Sequence, residues 1–201
     1  MVVKLQHKHA GLVLAAGASS RMGRAKALLP HPDGQPLAAA QAGKLRAAGA
    51  EEVVIVLGHH ADAVAEPLRG FEYRIVFNAN WATGRLSSLQ AGITAVQDAY
   101  GTLVLPVDAA GVSVDTLSRI LKTADLEHAT AVRPYRRGEP GKVLWLSRRL
   151  FPELLEHPND PAFRLDAWIG PHETRLELDD EEMLINVNTP EAWDRFVRRS
   201  T

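Results

Sequence analysis

A chain of 201 residues is long enough to bury a sizeable core, and its size fits one domain spanning 1–201. With 23 Lys and Arg against 24 Asp and Glu the net charge is −1, which argues against a general nucleic-acid binder, since such proteins carry a basic excess. There is no cysteine, so disulfides and thiolate metal sites are excluded, and no apolar run approaches the ~20 residues needed to cross a membrane.

Met1–Ala10 carries Lys4, His7 and Lys8, but only the short apolar run 11–18 follows, so no signal-peptide core is read and a cytoplasmic location is expected. Strand-like runs then alternate with helical patterns, the order expected of βα units and a largely parallel sheet. Gly11–Ala15 is the first buried strand. It breaks into small residues that leave room for a ligand, and Gly17 and Gly23 are read as positions that permit unusual backbone angles. Successive N–H groups in such a loop can form an anion-binding nest, and Arg21, Arg24 and Lys26 surround it with positive charge. The layout suits a polyphosphate. The loop is neither a Walker A motif nor the Gly-x-Gly-x-x-Gly fingerprint.

Leu37–Ala48 is rich in Ala and Leu and favours helix, with Gly49 to end it. Glu52–Leu57 is the second strand, Gly58-His59-His60 a polar loop tip with no third metal ligand nearby, and Ala61–Leu68 a helix. Tyr73–Phe77 is the third strand. After a polar turn, Leu86, Leu89, Ile93 and Val96 recur at helical spacing. Ser87 and Ser88 fall in that helix's first turn, where free N–H groups and hydroxyls either bind an anion or a base, or simply cap the helix.

Thr102–Val107 is the fourth strand and ends at Asp108. A carboxylate there sits where ligands bind in open α/β sheets, and magnesium takes such hard oxygen donors, so Asp108 is the leading metal candidate. Ser113 caps a helix to Ala124. Thr130–Pro134 is a fifth strand, and Tyr135–Lys142 is a cationic turn before the strand Val143–Leu146. Arg136, Arg137 and Lys142 in that turn either contact an acceptor phosphate or carry solvated charge. Leu150–Glu156 is helical. Arg175–Leu178 and Met183–Val187 read as short strands around a solvated acidic run, and Thr189 caps a final helix with Pro190 at its first position.

The first loop, Leu14-Ala15-Ala16-Gly17-x-Ser19-x-Arg21-Met22-Gly23-x-x-Lys26-x-Leu28-Leu29-Pro30, closely resembles the signature of the MobA-like nucleotidyltransferases. The resemblance implies a single three-layer α/β/α, Rossmann-like domain with a mostly parallel mixed sheet. It implies transfer of a nucleoside monophosphate from an NTP to a phosphorylated acceptor, with release of pyrophosphate. The nucleotide half would be about 1–110 and the acceptor half about 111–201. Leu14, Ala15, Ala16, Gly17, Ser19 and Gly23 would wrap the nucleotide, while Lys26 and Arg21 neutralise its phosphates.

Asn78-x-x-Trp81-x-x-Gly84, followed by Ser87-Ser88-Leu89, is similar to the family's second motif and implies nucleotide contacts from Asn78, Gly84 and Ser88, with Trp81 as packing. Val107-Asp108-Ala109-Ala110-Gly111-Val112-Ser113 is similar to Gly-Asp-x-Pro-x-Val-Ser, with Val107 for Gly and Ala110 for Pro, and the retained acid implies Mg2+. Asn159–Arg164 is similar to Gly-Asp-x-Gly-x-Arg, in which Asp160 and Arg164 keep their places for the acceptor. Asn186-x-Asn188-Thr189-Pro190-Glu191 carries Asn188 where some relatives have a second metal-binding Asp.

The loop Ala15-Ala16-Gly17 looks like the cytidylyl type, whereas Asn186-x-Asn188 looks more like the guanylyl branch. CTP is favoured, because the first loop should lie against the base. The expected activity is therefore that of a molybdenum-cofactor cytidylyltransferase or a close relative, with a molybdoenzyme as client. The rivals are a guanylyltransferase, a sugar-phosphate nucleotidyltransferase, and a non-catalytic accessory protein that binds NTP without releasing pyrophosphate.

Overall fold

A computed structural model describes residues 5–200, without the side chain of Ser200; Lys4 lies outside the described residues. The strands are β1 His9–Leu14, β2 Glu52–Leu57, β3 Arg74–Phe77, β4 Gly101–Pro106, β5 Ala131–Arg136, β6 Glu139–Pro140, β7 Leu144–Ser147 and β8 Glu173–Glu177. They form one sheet in the order β3-β2-β1-β4-β7-β5-β6, with β8 beside β5. The run β3-β2-β1-β4 is parallel, as is β5-β8. β7 is antiparallel to both β4 and β5, and β6 is antiparallel to β5.

The helices are α1 Leu37–Ala48, α2 Ala61–Leu68, α3 Arg85–Ala95, α4 Val114–Leu126, α5 Phe151–Glu156, α6 Leu165–Ile169 and α7 Pro190–Ser200. They cover both faces of the sheet, which is why the stretches 10–14 of β1, 53–57 of β2 and 103–106 of β4 carry no polar side chain. Val13, Ile55, Leu103 and Leu105 pack in one core with Leu45 of α1, Leu117 of α4 and Trp193 of α7. Their neighbours Leu12, Val54, Val56 and Val104 face the other way, onto Leu89 and Ile93 of α3 and Leu154 of α5. The result is the expected three-layer α/β/α domain. No described helix is long and apolar enough to cross a membrane.

Register positions the site. Leu14 pairs with Pro106, so β1 and β4 end side by side, and Val107 N–H donates to Leu14 O across 3.1 Å. The loops that open at Ala15 and at Asp108 therefore leave the same edge of the sheet, next to the turn after β3.

Three expectations about local structure are corrected. Met183–Val187 is not a strand: Glu182–Leu184 forms a 3₁₀ turn. Met183 and Val187 are buried in the core, but Val187 N–H donates to Asp108 O at 2.8 Å, so this segment binds the Asp108 loop and no strand edge. The cationic turn is shorter than 135–142, because Tyr135 and Arg136 belong to β5. Arg137 and Gly138, at φ of 49° and 84°, alone close the hairpin to β6, as a two-residue turn with both residues left-handed does. The last strand is Glu173–Glu177 and begins two residues before the expected one.

Candidate active site

The first loop is held from within. Met22 is buried and anchors its far end in the core. Ser19 accepts from Met22 N–H through its carbonyl at 2.9 Å, and its Oγ accepts from Lys26 N–H at 3.1 Å. Ser19 itself is left-handed (φ 54°), as is Gly23 (φ 71°), whereas Gly17 is not among the positive-φ residues. The reading of Gly17 as a source of unusual backbone angles is thus corrected: a Cβ there would meet nothing within 4 Å, and the missing side chain simply leaves the cavity open.

Three segments meet at Lys26. Its Nζ donates to Asp108 Oδ2 at 2.8 Å and to Asn188 Oδ1 at 2.9 Å. Arg21 reaches the same Asn188 oxygen at 3.4 Å. Helix α1 braces the Asp108 loop from below, with Gln41 Nε2 donating to Ala109 O at 3.0 Å and Lys44 Nζ to Ala110 O at 2.7 Å. Burial lowers the Lys44 pKa. Ala110, which stands for the expected proline, has no exposed surface and is fixed through this carbonyl.

A cavity of about 360 Å³ opens between these loops. Leu14, Ala15, Ala16, Gly17 and Ser19 form one side of it. Lys26, Gly84, Ser88 and Asp108 complete the expected residues on its wall. Asn78 lies behind the wall, buried, where its Nδ2 donates to Ser87 Oγ at 2.9 Å and Ser88 Oγ at 3.0 Å. It ties the end of β3 to the first turn of α3. Gly23 is outside the lining and shapes the loop.

Two smaller cavities of about 250 Å³ each adjoin the first. One holds Arg21, Lys142 and Asn188 and shares Asp108 with the first cavity. The other holds Asp160 and Arg164 beside Phe163. Arg136 is turned to the acidic run, 3.3 Å from Asp179 Oδ1 and 3.6 Å from Glu181 Oε2, and Arg137 sits in the hairpin turn. Neither lines these cavities.

Trp81, Arg133 and Arg85 are among the lining residues that escape the sequence reading. Trp81, read as packing, lines the large cavity and sets its ring edge-on to His59 at 4.7 Å. Arg133 lines the Arg21 cavity from β5, nearly buried, with its guanidinium 2.7 Å from Asp166 Oδ1 and 3.1 Å from Glu173 Oε2. An arginine in the interior of the expected strand 130–134 was the available signal, since charge is buried only when paired. Arg85 lines all three cavities.

Among the described residues no group of three or more His, Cys, Asp or Glu is gathered that could hold a metal ion. Asp108 Oδ2 and Asn188 Oδ1 nevertheless converge on one cation, the Lys26 ammonium. Two hard oxygens fit magnesium, which is often held by one or two protein oxygens with waters and substrate phosphates.

The model of the MobA-like NTP transferase domain matches residues 11–174. A curated relative from Paenarthrobacter nicotinovorans named nicotine blue oxidoreductase is 40% identical over 139 residues, covering 65% of this chain and 68% of its own. Molybdenum cofactor cytidylyltransferase of Escherichia coli (strain K12) is 26% identical, covering 94% of this chain and 96% of its own. Other relatives at similar identity are named molybdenum cofactor guanylyltransferase. The solved structure of a nucleotidyl transferase from Methanothermobacter superposes with a TM-score of 0.79 at 26% identity, covering 96% of this chain and 99% of that one. A family model that spans most of the chain, matched by the fold and by relatives over nearly its full length, shows that this protein belongs to the MobA-like NTP transferase family.

Proposed function

We propose that this nucleotidyltransferase-family chain transfers CMP from CTP to a phosphorylated acceptor of the molybdopterin type, releasing pyrophosphate. The observation that carries the reading is the meeting of Lys26, Asp108 and Asn188 where the large cavity joins the Arg21 cavity. One cavity, of about 360 Å³, is lined by the loop expected to wrap a nucleotide. The other is lined by four cations, Arg21, Arg85, Arg133 and Lys142, against the acids Asp108 and Asp166, and so favours an anionic acceptor.

In the reaction an acceptor phosphate oxygen attacks the α-phosphorus of the NTP. A new P–O bond forms, the bond to the bridging oxygen of the β-phosphate breaks, and pyrophosphate departs with the electron pair. The attacking oxygen is already anionic, so no strong base is needed. Catalysis then rests on positioning and charge neutralisation. Lys26 and Arg21 bind and orient the phosphates, and Ser19 holds the Lys26 backbone in place. When bound by Asp108 and Asn188, Mg2+ would supply Lewis-acid stabilisation of phosphate charge. Ala15 and Ala16 line the cavity in the loop that looks like the cytidylyl type, which supports CTP over GTP.

Calorimetric titration with CTP and GTP, each with and without Mg2+, tests the nucleotide half of this reading. Magnesium-dependent preference for CTP is expected. Tighter binding of GTP would move the assignment to the guanylyl branch.

A second reading has its own observation, the 40% identical relative named as an oxidoreductase. On that reading the chain carries out a redox reaction instead of nucleotidyl transfer, and the purified chain releases no pyrophosphate from any NTP.

A further inference from the structure

Arg85 is the first residue of α3 and follows Gly84, whose φ of 119° and ψ of −176° turn the chain sharply into the helix. An arginine is poorly placed there for stability, since the helix N-terminus carries positive partial charge. Its side chain makes no hydrogen bond or ion pair with any described residue. Arg21, Lys26 and Arg133 all have such partners.

The cavities explain the position. The nucleotide cavity and the Arg21 cavity share Asp108, and the nucleotide cavity and the Asp160 cavity share Gly84. Of the described residues lining them, only Arg85 belongs to all three. A free guanidinium thus stands where an NTP and a phosphorylated acceptor must meet. Two anions approaching there repel each other, and a planar guanidinium can donate to oxygens of both at once.

We propose that Arg85 is a catalytic residue that bridges the two substrates, contacting the attacking phosphate of the acceptor and the α-phosphate of the NTP. This rests on the nucleotidyl-transfer reading. Arg85 then contributes little to binding either substrate alone and much to the ternary complex and its reaction.

The test is steady-state pyrophosphate release from CTP or GTP with molybdopterin as acceptor, for wild type, Arg85→Ala and Arg85→Lys, alongside calorimetric NTP binding. Arg85→Ala is expected to lose on the order of 100-fold in kcat/KM for the acceptor. Its NTP dissociation constant should stay within about threefold of wild type. Arg85→Lys should recover part of the turnover, because it restores the charge without the fork. An exposed arginine without partners is not needed for folding, so both variants should melt with wild type. Unchanged kcat and acceptor KM in Arg85→Ala would overturn the bridge while leaving nucleotidyl transfer standing. A wild-type chain that releases no pyrophosphate would overturn both.

Discussion

Lys26 Nζ lies 2.8 Å from Asp108 Oδ2, an ion pair joining the loop after β1 to the end of β4 across 82 positions of sequence. Both side chains are largely shielded, at 15% and 23% exposure, so the contact sits in the mouth of the cavity and not on open surface. The parallel pairing of β1 with β4 brings the two loops together, and Asn188 closes the group from the C-terminal segment. On the proposed function, a triphosphate entering this cavity meets a cation already in position.

Lys26→Ala removes that cation. Hydrogen bonds to charged groups contribute about 1.5–3 kcal/mol each, so CTP binding should weaken about tenfold or more. The fold should survive, because Asp108 keeps access to water and its loop stays braced by Gln41 and Lys44. Calorimetry beside a thermal melt separates the two effects.

Asn188→Asp places a second carboxylate opposite Asp108. The added negative charge should lower the Mg2+ concentration needed for half-maximal nucleotide binding several-fold. Asn188→Leu, which removes the oxygen, should raise it. A magnesium titration at fixed CTP reads both, and identical midpoints for the three proteins would remove Asn188 from the metal site.

Gly84→Ala introduces strain without a clash. A Cβ would meet nothing within 4 Å, yet φ of 119° with ψ of −176° is open essentially to glycine alone. The substitution should cost about 1–3 kcal/mol of stability or turn Arg85 and Ser88 away from the cavity. Urea denaturation measures the first effect and CTP affinity the second. No change in either would mean that the turn relaxes freely.

Acid sensitivity should come from the opposite end of the sheet. Trp145 Nε1–H donates to His9 Nδ1 at 3.2 Å, so the His9 proton is on Nε2, which donates to Asp125 Oδ1 at 3.0 Å. Burial lowers the His9 pKa and outweighs the pull of Asp125. For Asp125 burial acts upward, but hydrogen bonds from His7, from Gln6 N–H and from His9 outweigh it and hold the carboxyl below its ordinary value. Both groups therefore bind fewer protons folded than unfolded, and stability falls as pH falls. The loss should begin below about pH 6.5 with His9 and continue through the carboxylate range with Asp125. Urea unfolding at descending pH checks this, and His9→Gln should flatten the upper part of the profile.

Much of the architecture was legible because its signals are local. Uninterrupted runs such as Val53–Leu57 mark strands covered on both faces, and Gly49, Ser113 and Thr189 mark helix ends by their chemistry. In the structure Gly49 ends α1 at φ 116°, Ser113 Oγ accepts from Thr116 N–H, and Thr189 Oγ1 from Ala192 N–H. Met183–Val187 misled because buried apolar residues imply a core neighbour but not a ladder. Its backbone partner is the Asp108 carbonyl, a tertiary contact with no periodicity. Helix α6 has five residues, too few for a helical stripe to show.

The candidate site was legible as a set of loops and less so as a set of walls. Leu14–Ser19 and Lys26, brought forward by the first loop's resemblance, and Asp108, brought forward by its place at a strand end, stand on one cavity. Asn78 shares its motif with Gly84 and Ser88 but braces them from behind, since a motif does not distinguish a side chain that meets the ligand from one that holds its neighbours. Arg85 and Arg133 come to one cavity from α3 and β5, elements far apart in the chain, and only the tertiary fold shows that they meet there.

The most direct test of nucleotidyl transfer is pyrophosphate release by the purified chain with CTP, Mg2+ and molybdopterin, compared with the same mixture lacking the acceptor. Acceptor-dependent pyrophosphate, formed faster with CTP than with GTP and lost in Lys26→Ala, is the expected result. Binding of CTP with no pyrophosphate from either nucleotide would contradict it and leave a nucleotide-binding protein of another function.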